Sequence, residues 1–230
     1  MSTVQRIAKN TASLFIAQAI TAVLGLALSI LIARTLGDIG FGEYSFAIVF
    51  TATFAIFLDL GFNRLIVREV ARDKSAAPKY LSNIAIIKAI LSLVVFGLMA
   101  LIISLMDYPH DVTTAVYILG LYVILIAFGD LFRATFRAFE RMEYEALVSI
   151  IRQVIVTSLG IAVVLLGYGL IQIAYAFLIG GMFYLTASFF ICRQKFASPN
   201  LEIDFNFLKI ATKTALPLSF ISIATIPFKV

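Results

Sequence analysis

The sequence is short of almost everything that soluble catalytic domains are built from. Its one cysteine, Cys192, excludes an intramolecular disulfide. Its one histidine, His110, excludes a histidine-rich metal cluster or a relay between two imidazoles. No redox or metal chemistry is therefore expected, and no resident cofactor. Charged residues make up only 13% of the 230 positions, whereas soluble domains carry about a quarter. No connector is long enough for the polar loop of clustered carboxylates or histidines that a membrane glycosyltransferase or polymerase requires.

What is present is hydrocarbon. Hydrophobic residues are 62% of the chain, and the mean hydropathy is +1.03. Several uncharged runs reach the roughly 20 residues a helix needs to cross about 30 Å of hydrocarbon. They are apolar on every face, which excludes the alternation of barrel strands. The expected fold is all-α and polytopic, with six spans: Thr11 to Ala33, Glu43 to Phe62, Asn83 to Met106, Val112 to Gly129, Leu147 to Leu166 and Leu170 to Cys192. The first is uncharged and too long for a signal-peptide core, so it reads as an uncleaved span. "GYG" at Gly167 to Gly169 is the only hairpin available between the last two. A seventh helix starts near Thr214. The domain reading is a six-helix lobe over 1–213 and a truncated seventh helix over 214–230.

Lysine and arginine set the orientation, because positively charged loops stay in the cytoplasm. One set of connectors holds Arg6, Lys9, Arg64, Arg68, Arg72, Lys74, Lys79, Arg133, Arg137, Arg141, Arg193, Lys195, Lys209 and Lys213, and the opposite set holds only Arg34. The N-terminus is expected inside. The same distribution accounts for the pI of about 9.4 without nucleic acid, which is not expected as a partner.

A few charges need a further reason. Arg64, Arg68 and Arg72 recur at i, i+4 and i+8 after Asp59 and Gly61, and Arg133, Arg137 and Arg141 repeat the device after Asp130. The following spans carry Lys88 and Arg152 one or two turns in. An aspartate at the centre of a span costs about 2.5 to 3.5 kcal/mol on insertion scales, and less near the rim. On one reading, Asp59 and Asp130 pair with nearby cations and fix how the hairpins enter, while Lys88 and Arg152 snorkel to the interface. On the other, these groups line a water-filled cavity where cations meet an anionic substrate. The arginine triplets divide likewise between topology with lipid-headgroup contact and direct substrate contact. Lys229, deep in the seventh helix, reads best as a cavity residue. Asn10, Gln18, Gln153 and Gln172 read as interhelical hydrogen-bonding groups, and the tyrosines as lipid-facing bulk and interface anchors.

These residues carry a resemblance. "ILIARTLGDIGFGEYSFAIVFTATFAIFLDLGFNRLIVREVAR", Ile30 to Arg72, resembles the N-terminal signature of polysaccharide-biosynthesis flippases in the multidrug/oligosaccharidyl-lipid/polysaccharide exporter superfamily. The matching elements are Ala33-Arg34-x-Leu36-Gly37, Gly42-x-Tyr44, Asp59-Leu60-Gly61 and Arg68-Glu69-x-x-Arg72. "FRAFERMEYEAL", Phe136 to Leu147, resembles the connector between spans four and five, and "TALPLSFISIATIPFKV" the opening of span seven.

The resemblance implies a two-lobed transporter that carries lipid-linked oligosaccharide from the cytoplasmic to the outer leaflet of the plasma membrane by alternating access. This chain stops where a second lobe would begin. The implied partners are the lipid-linked oligosaccharide, membrane lipids, glycosyltransferases or polymerase of the same pathway, and the missing C-terminal lobe. Proton or sodium coupling is left open. The substrate-path candidates are Arg34, Arg64, Arg68, Lys88, Arg152 and Lys229, with Asp59 and Asp130 as charge partners. The alternatives are a lobe of a cation-coupled multidrug-type exporter and a non-transporting scaffold or degenerate fragment.

Overall fold

A computed structural model describes residues 3–198 and Asp204. The described chain is helical: α1 Thr3–Asp59, α2 Phe62–Arg72, α3 Ala77–Leu105, α4 His110–Ala138, α5 Met142–Leu165 and α6 Leu170–Lys195, with a short 3-10 turn Lys74–Ala76 between α2 and α3. Among the described residues, five helical segments are long and apolar enough to cross a membrane. The seventh helix expected over 214–230, with Lys229, lies outside the described residues, and so do Lys209 and Lys213 of the connector before it.

The expected first two spans sit on one helix. At 1.5 Å per residue, the 57 residues of α1 would run about 85 Å if straight, twice the thickness of a bilayer. They do not run straight, because Gly37 takes φ 66°, ψ −172° inside the helix, a conformation that glycine reaches without steric cost. Side-chain contacts show the reversal. Asn10 Nδ2 donates to the Glu140 carbonyl at the α4–α5 turn, 2.9 Å away. Phe46 stacks on Tyr108 of the α3–α4 turn, with centroids 4.2 Å apart. Asp59 returns to 3.5 Å from Lys88 in the first half of α3. Both ends of α1 therefore lie toward the end of the bundle that carries the α4–α5 turn, called here the near end. The region around Gly37 lies toward the far end. The connector expected over residues 34–42 is thus not a loop, since a single non-helical residue does its work.

Most of the near-end charges lie on helices, as their i, i+4, i+8 spacing predicts, and the fourth span is longer than expected. Asp130, Arg133 and Arg137 belong to α4 itself, which continues through Ala138 instead of ending at Gly129. The reason is amphipathic: Leu131, Phe132, Ala134, Phe136 and Ala138 are buried on the other faces of the same turns. After α1, Leu60 and Gly61 both take positive φ and break the helix. α2 then buries Phe62, Leu65, Ile66 and Val70, while Arg68 and Arg72 stay exposed and Arg64 half-buried. Asp73 accepts from both the amide and the hydroxyl of Ser75. That hydrogen bonding holds its carboxyl below the usual range and stops α2 before the 3-10 turn. Gly167, at φ 77°, makes the tight turn between α5 and α6 that "GYG" predicts.

The bundle is apolar outside and selectively polar inside. Phe15, Leu93 and Leu165 are each more than 70% exposed, whereas Lys88, Asn83, Glu145, Thr157 and Ser188 are buried. That inversion suits lipid, where a polar group is best satisfied against another helix. Two apolar clusters fill the interior. One lies around Phe62, Leu81, Leu131 and Phe136 toward the near end, and the other around Leu28, Ile32, Met99, Ile103 and Ile173 toward the far end.

Candidate functional site

Two polar constellations lie inside the near-end half of the bundle. The larger is a cleft of about 630 Å³ between the first arm of α1, the end of α4 and the start of α5. On α1 its wall is Leu14, Ala17, Gln18 and Thr21, the i, i+3, i+4, i+7 stripe of one helix face. Two of these side chains are small and a third is an amide, so the stripe leaves the space open. The opposite wall carries Arg133 and Arg137, one turn apart on α4, and Glu145, Ser149 and Arg152 on α5.

The charges are tied to one another in sequence. Glu145, 3% exposed, accepts from Arg137 through both oxygens: Nε lies 2.6 Å from Oε2, and Nη2 bonds Oε1. Arg133 Nε lies 3.6 Å from the same carboxylate, and its Nη2 is 3.1 Å from Asp130 Oδ1. Asp130 also accepts from the Tyr184 hydroxyl at 2.6 Å. Arg152 lies over the Tyr184 ring, 5.6 Å from its centroid, and donates through Nη1 to the Tyr122 hydroxyl at 2.7 Å. Its Nε is buried with no hydrogen-bond partner. Three guanidinium groups against one carboxylate line the cleft, so it has more cationic charge and more donors than its own walls satisfy. A multivalent oxyanion is the chemistry that would use both.

The smaller constellation surrounds Lys88, in a cavity of about 180 Å³ shared by Asp59, Asn63, Tyr122 and Asp130 with alanine and aliphatic side chains. Lys88 is fully buried. Its ammonium donates to the Ala127 carbonyl at 2.9 Å and the Asn63 amide oxygen at 3.2 Å, and Asp59 Oδ1 is 3.5 Å away. Asp59 Oδ1 also accepts from the backbone N–H of Asn63 at the start of α2, 3.1 Å away. An ammonium has three protons, and three oxygens surround this one.

The residues singled out in the sequence are thus distributed unevenly. Lys88 and Asp59 meet in the small cavity, Arg152 lines the large cleft, and Asp130 borders both through Arg133 and Tyr184. Snorkelling is corrected for Lys88 and Arg152 alike. The first is sealed among α1, α2, α3 and α4 by acceptors from three of them, and the second is held inside by two tyrosines. Arg34 is exposed beside the Gly37 bend, far from either constellation. Arg68 pairs with its neighbour Glu69 at 2.7 Å on the exposed side of α2, and Arg64 is on that helix too. Lys229 lies outside the described residues.

Glu145, Asn63, Tyr122 and Tyr184 join the site without having been singled out, and Arg133 and Arg137 turn from topology markers into its principal donors. Tyrosine in an apolar run carries no sign of a partner. Glu145 reads as an ordinary first-turn acid that favours a helix N-terminus. Its spacing from Arg137, across a turn that folds α4 onto α5, was the one available signal. Asn10 bonds the Glu140 carbonyl in the α4–α5 turn and not another helix. Gln153 donates instead to Thr157 within α5, 3.3 Å away.

A family model described as "Polysaccharide biosynthesis protein" matches residues 7–226. Among solved structures, the chain is similar to an outward-facing multidrug resistance MATE family transporter of the MOP superfamily, with a TM-score of 0.73 and 20% identity over 94% of this chain and 52% of the other. It is also similar to a MOP superfamily transporter from Pyrococcus furiosus, at TM-score 0.74 and 21% identity over 94% and 52%. A third similar structure is MATE in the bent conformation, at 0.73 and 20% over 96% and 53%. The chain therefore spans about half the length of the solved structures it matches. No curated protein matches it.

Proposed function

We propose, from the premise that this chain belongs to the polysaccharide biosynthesis protein family, that it is a membrane-transport lobe that carries the anionic head of a lipid-linked oligosaccharide across the plasma membrane. The single observation that carries this reading is the arginine-lined cleft, with its net cationic charge and the unpartnered Arg152 Nε. A polyprenyl tail stays in lipid, and only the phosphate-sugar head needs a polar path. A phosphate or diphosphate offers the oxygen acceptors that Arg133, Arg137 and Arg152 want, while Gln18, Thr21 and Ser149 are neutral hydrogen-bonding groups suited to sugar hydroxyls. A drug-type organic cation would meet repulsion at the same wall. The Pyrococcus furiosus transporter is itself described through a binding pocket of reverse polarity suggesting a different function, so pocket charge is a natural criterion within this fold.

In this reading the near end is cytoplasmic, since it gathers nearly all the lysine and arginine of the described residues. The cleft then loads from the inner leaflet. Rocking against a second lobe supplies alternating access, and transport, not catalysis, is the activity.

The test is binding of farnesyl pyrophosphate to the purified chain in phosphatidylcholine nanodiscs, followed by calorimetry, with a lipophilic organic cation as the comparison. Binding of the pyrophosphate, weakened by Arg152→Gln and by Arg137→Gln, supports the reading. Binding of the cation alone overturns it in favour of a drug-type exporter.

A further inference from the structure

Glu145 is an anion already present in the anion cleft. It is nearly inaccessible and takes the Nε–Nη2 edge of Arg137 through both of its oxygens. It also draws Arg133 to 3.6 Å. A substrate phosphate wants the same two guanidinium groups, and a guanidinium fork presents one bidentate edge of this kind to a carboxylate or a phosphate, not to both at once. Arg152 is outside this arrangement: its Nη1 is taken by Tyr122, and its Nε points at no acceptor.

We propose that Glu145 is an internal stand-in for the substrate's phosphate, a carboxylate latch. It occupies Arg137 and Arg133 while the cleft is empty and is displaced when the anion arrives. The proposal rests on the anion-binding reading of the cleft and adds its regulation. Arg152, with a donor left over, makes the first contact, and exchange of Glu145 for phosphate on Arg137 completes the site. The latch joins α5 to α4, with Arg137 one residue from the last residue of α4 and Glu145 in the first turns of α5. Loading therefore also releases one tie between these helices at the near end. Unoccupied, the buried Glu145 carboxylate keeps cationic partners within reach.

The experiment compares farnesyl pyrophosphate binding by the wild-type chain, Glu145→Gln and Glu145→Asp, in the same zwitterionic nanodiscs. Glu145→Gln removes the competing charge and is expected to bind about tenfold more tightly. Glu145→Asp keeps the charge but shortens the arm by one methylene, which breaks the two-point grip, and it is also expected to bind more tightly than wild type.

If Glu145→Gln gains affinity but Glu145→Asp equals wild type, Glu145 acts only through its field and the latch is overturned, while the cleft stands. If both variants bind more weakly, Glu145 supports the cradle instead of blocking it, and the latch is again overturned. If no form binds, the anion-cleft reading falls together with the latch. Infrared difference spectroscopy on the wild-type chain decides the matter even if a variant fails to fold. A pyrophosphate-induced shift of a carboxylate stretching band supports displacement, and binding without such a shift overturns it.

Discussion

The Lys88 cavity and the arginine cleft are built from the same kinds of residue and end in opposite conditions. Around Lys88 three oxygens face one ammonium, all supplied by the chain. The cavity beside it is small and walled largely by alanines and aliphatic side chains. In the cleft three arginines face one glutamate in the wall and Asp130 behind Arg133, the space is more than three times larger, and one buried donor has no acceptor. A closed network of buried charge is worth most as a constraint on how helices meet, because breaking it strands a charge in low dielectric. An open one holds back donors that only an incoming group can satisfy. Intramembrane charge is therefore not one signal but two, and the number of acceptors in reach tells them apart.

The largest effect expected from this contrast comes from breaking the closed network. Lys88→Met leaves Asn63 and the Asp59 carboxylate, itself about a third exposed, facing an apolar side chain, and should destabilise the folded chain by about 3 kcal/mol, the low end of the cost of removing one partner of a buried pair. Thermal unfolding in detergent measures it. Asp59→Asn added to Lys88→Met should recover most of the loss, since no charge is then left stranded. A Lys88→Met chain that melts like wild type yet no longer binds farnesyl pyrophosphate would reverse the assignment of the two sites.

Next in size is a steric probe of the open network that touches no charge. A Cβ added at Gly129 would lie 2.3 Å from Tyr184 Cε1, so Gly129→Ala must push aside the ring that carries Arg152 and bonds Asp130. Overpacking of this kind costs about 1–3 kcal/mol. The sharper readout is binding: displacement of the Tyr184 ring should lower pyrophosphate affinity as well as the melting temperature. Loss of stability alone would mean that Tyr184 is only packing.

Arg152→Gln separates the two regions most cleanly. It removes a side chain that is incompletely bonded, so stability should change by less than about 1 kcal/mol, while pyrophosphate affinity falls about tenfold, or about 1.4 kcal/mol. Equal losses in both would place Arg152 in a closed network after all.

Most of the bundle could be read from the residues, and the exceptions are instructive. Uncharged runs of the right length located the apolar helices, and Gly167 marked a turn through its freedom at positive φ. The reversal in α1 was visible only as a charged stretch around Arg34 to Glu43. Composition suggested a loop there, whereas a helix can turn at Gly37 alone. At the site, Asp59, Lys88, Asp130 and Arg152 stood out because charge in an apolar run is conspicuous. Glu145, Tyr122 and Tyr184 did not, because each has an ordinary local reason to be where it is, and its partner lies on another helix. Periodicity reports which face a residue occupies; which residue meets it across the interface is set by how the helices pack.

The smallest expected effect calibrates the others. Arg68 is about half exposed, and its guanidinium meets Glu69, the next residue in the chain, at 2.7 Å. Such a pair needs little tertiary structure to form and is screened by solvent, so Arg68→Gln should shift stability by no more than about 0.5 kcal/mol. It lies on α2, away from the lining of the cleft, so farnesyl pyrophosphate affinity should also stay at the wild-type value when Arg152→Gln lowers it. Both variants remove one arginine from the near-end half of the bundle and change net charge equally. Only their geometry differs: one side chain lies against its own helix, and the other is aimed into a cleft with a donor unspent. If Arg68→Gln weakened binding as much as Arg152→Gln, anion recognition would belong to the basic rim as a whole, acting through its summed field. The distinction between closed and open networks would then carry no functional meaning.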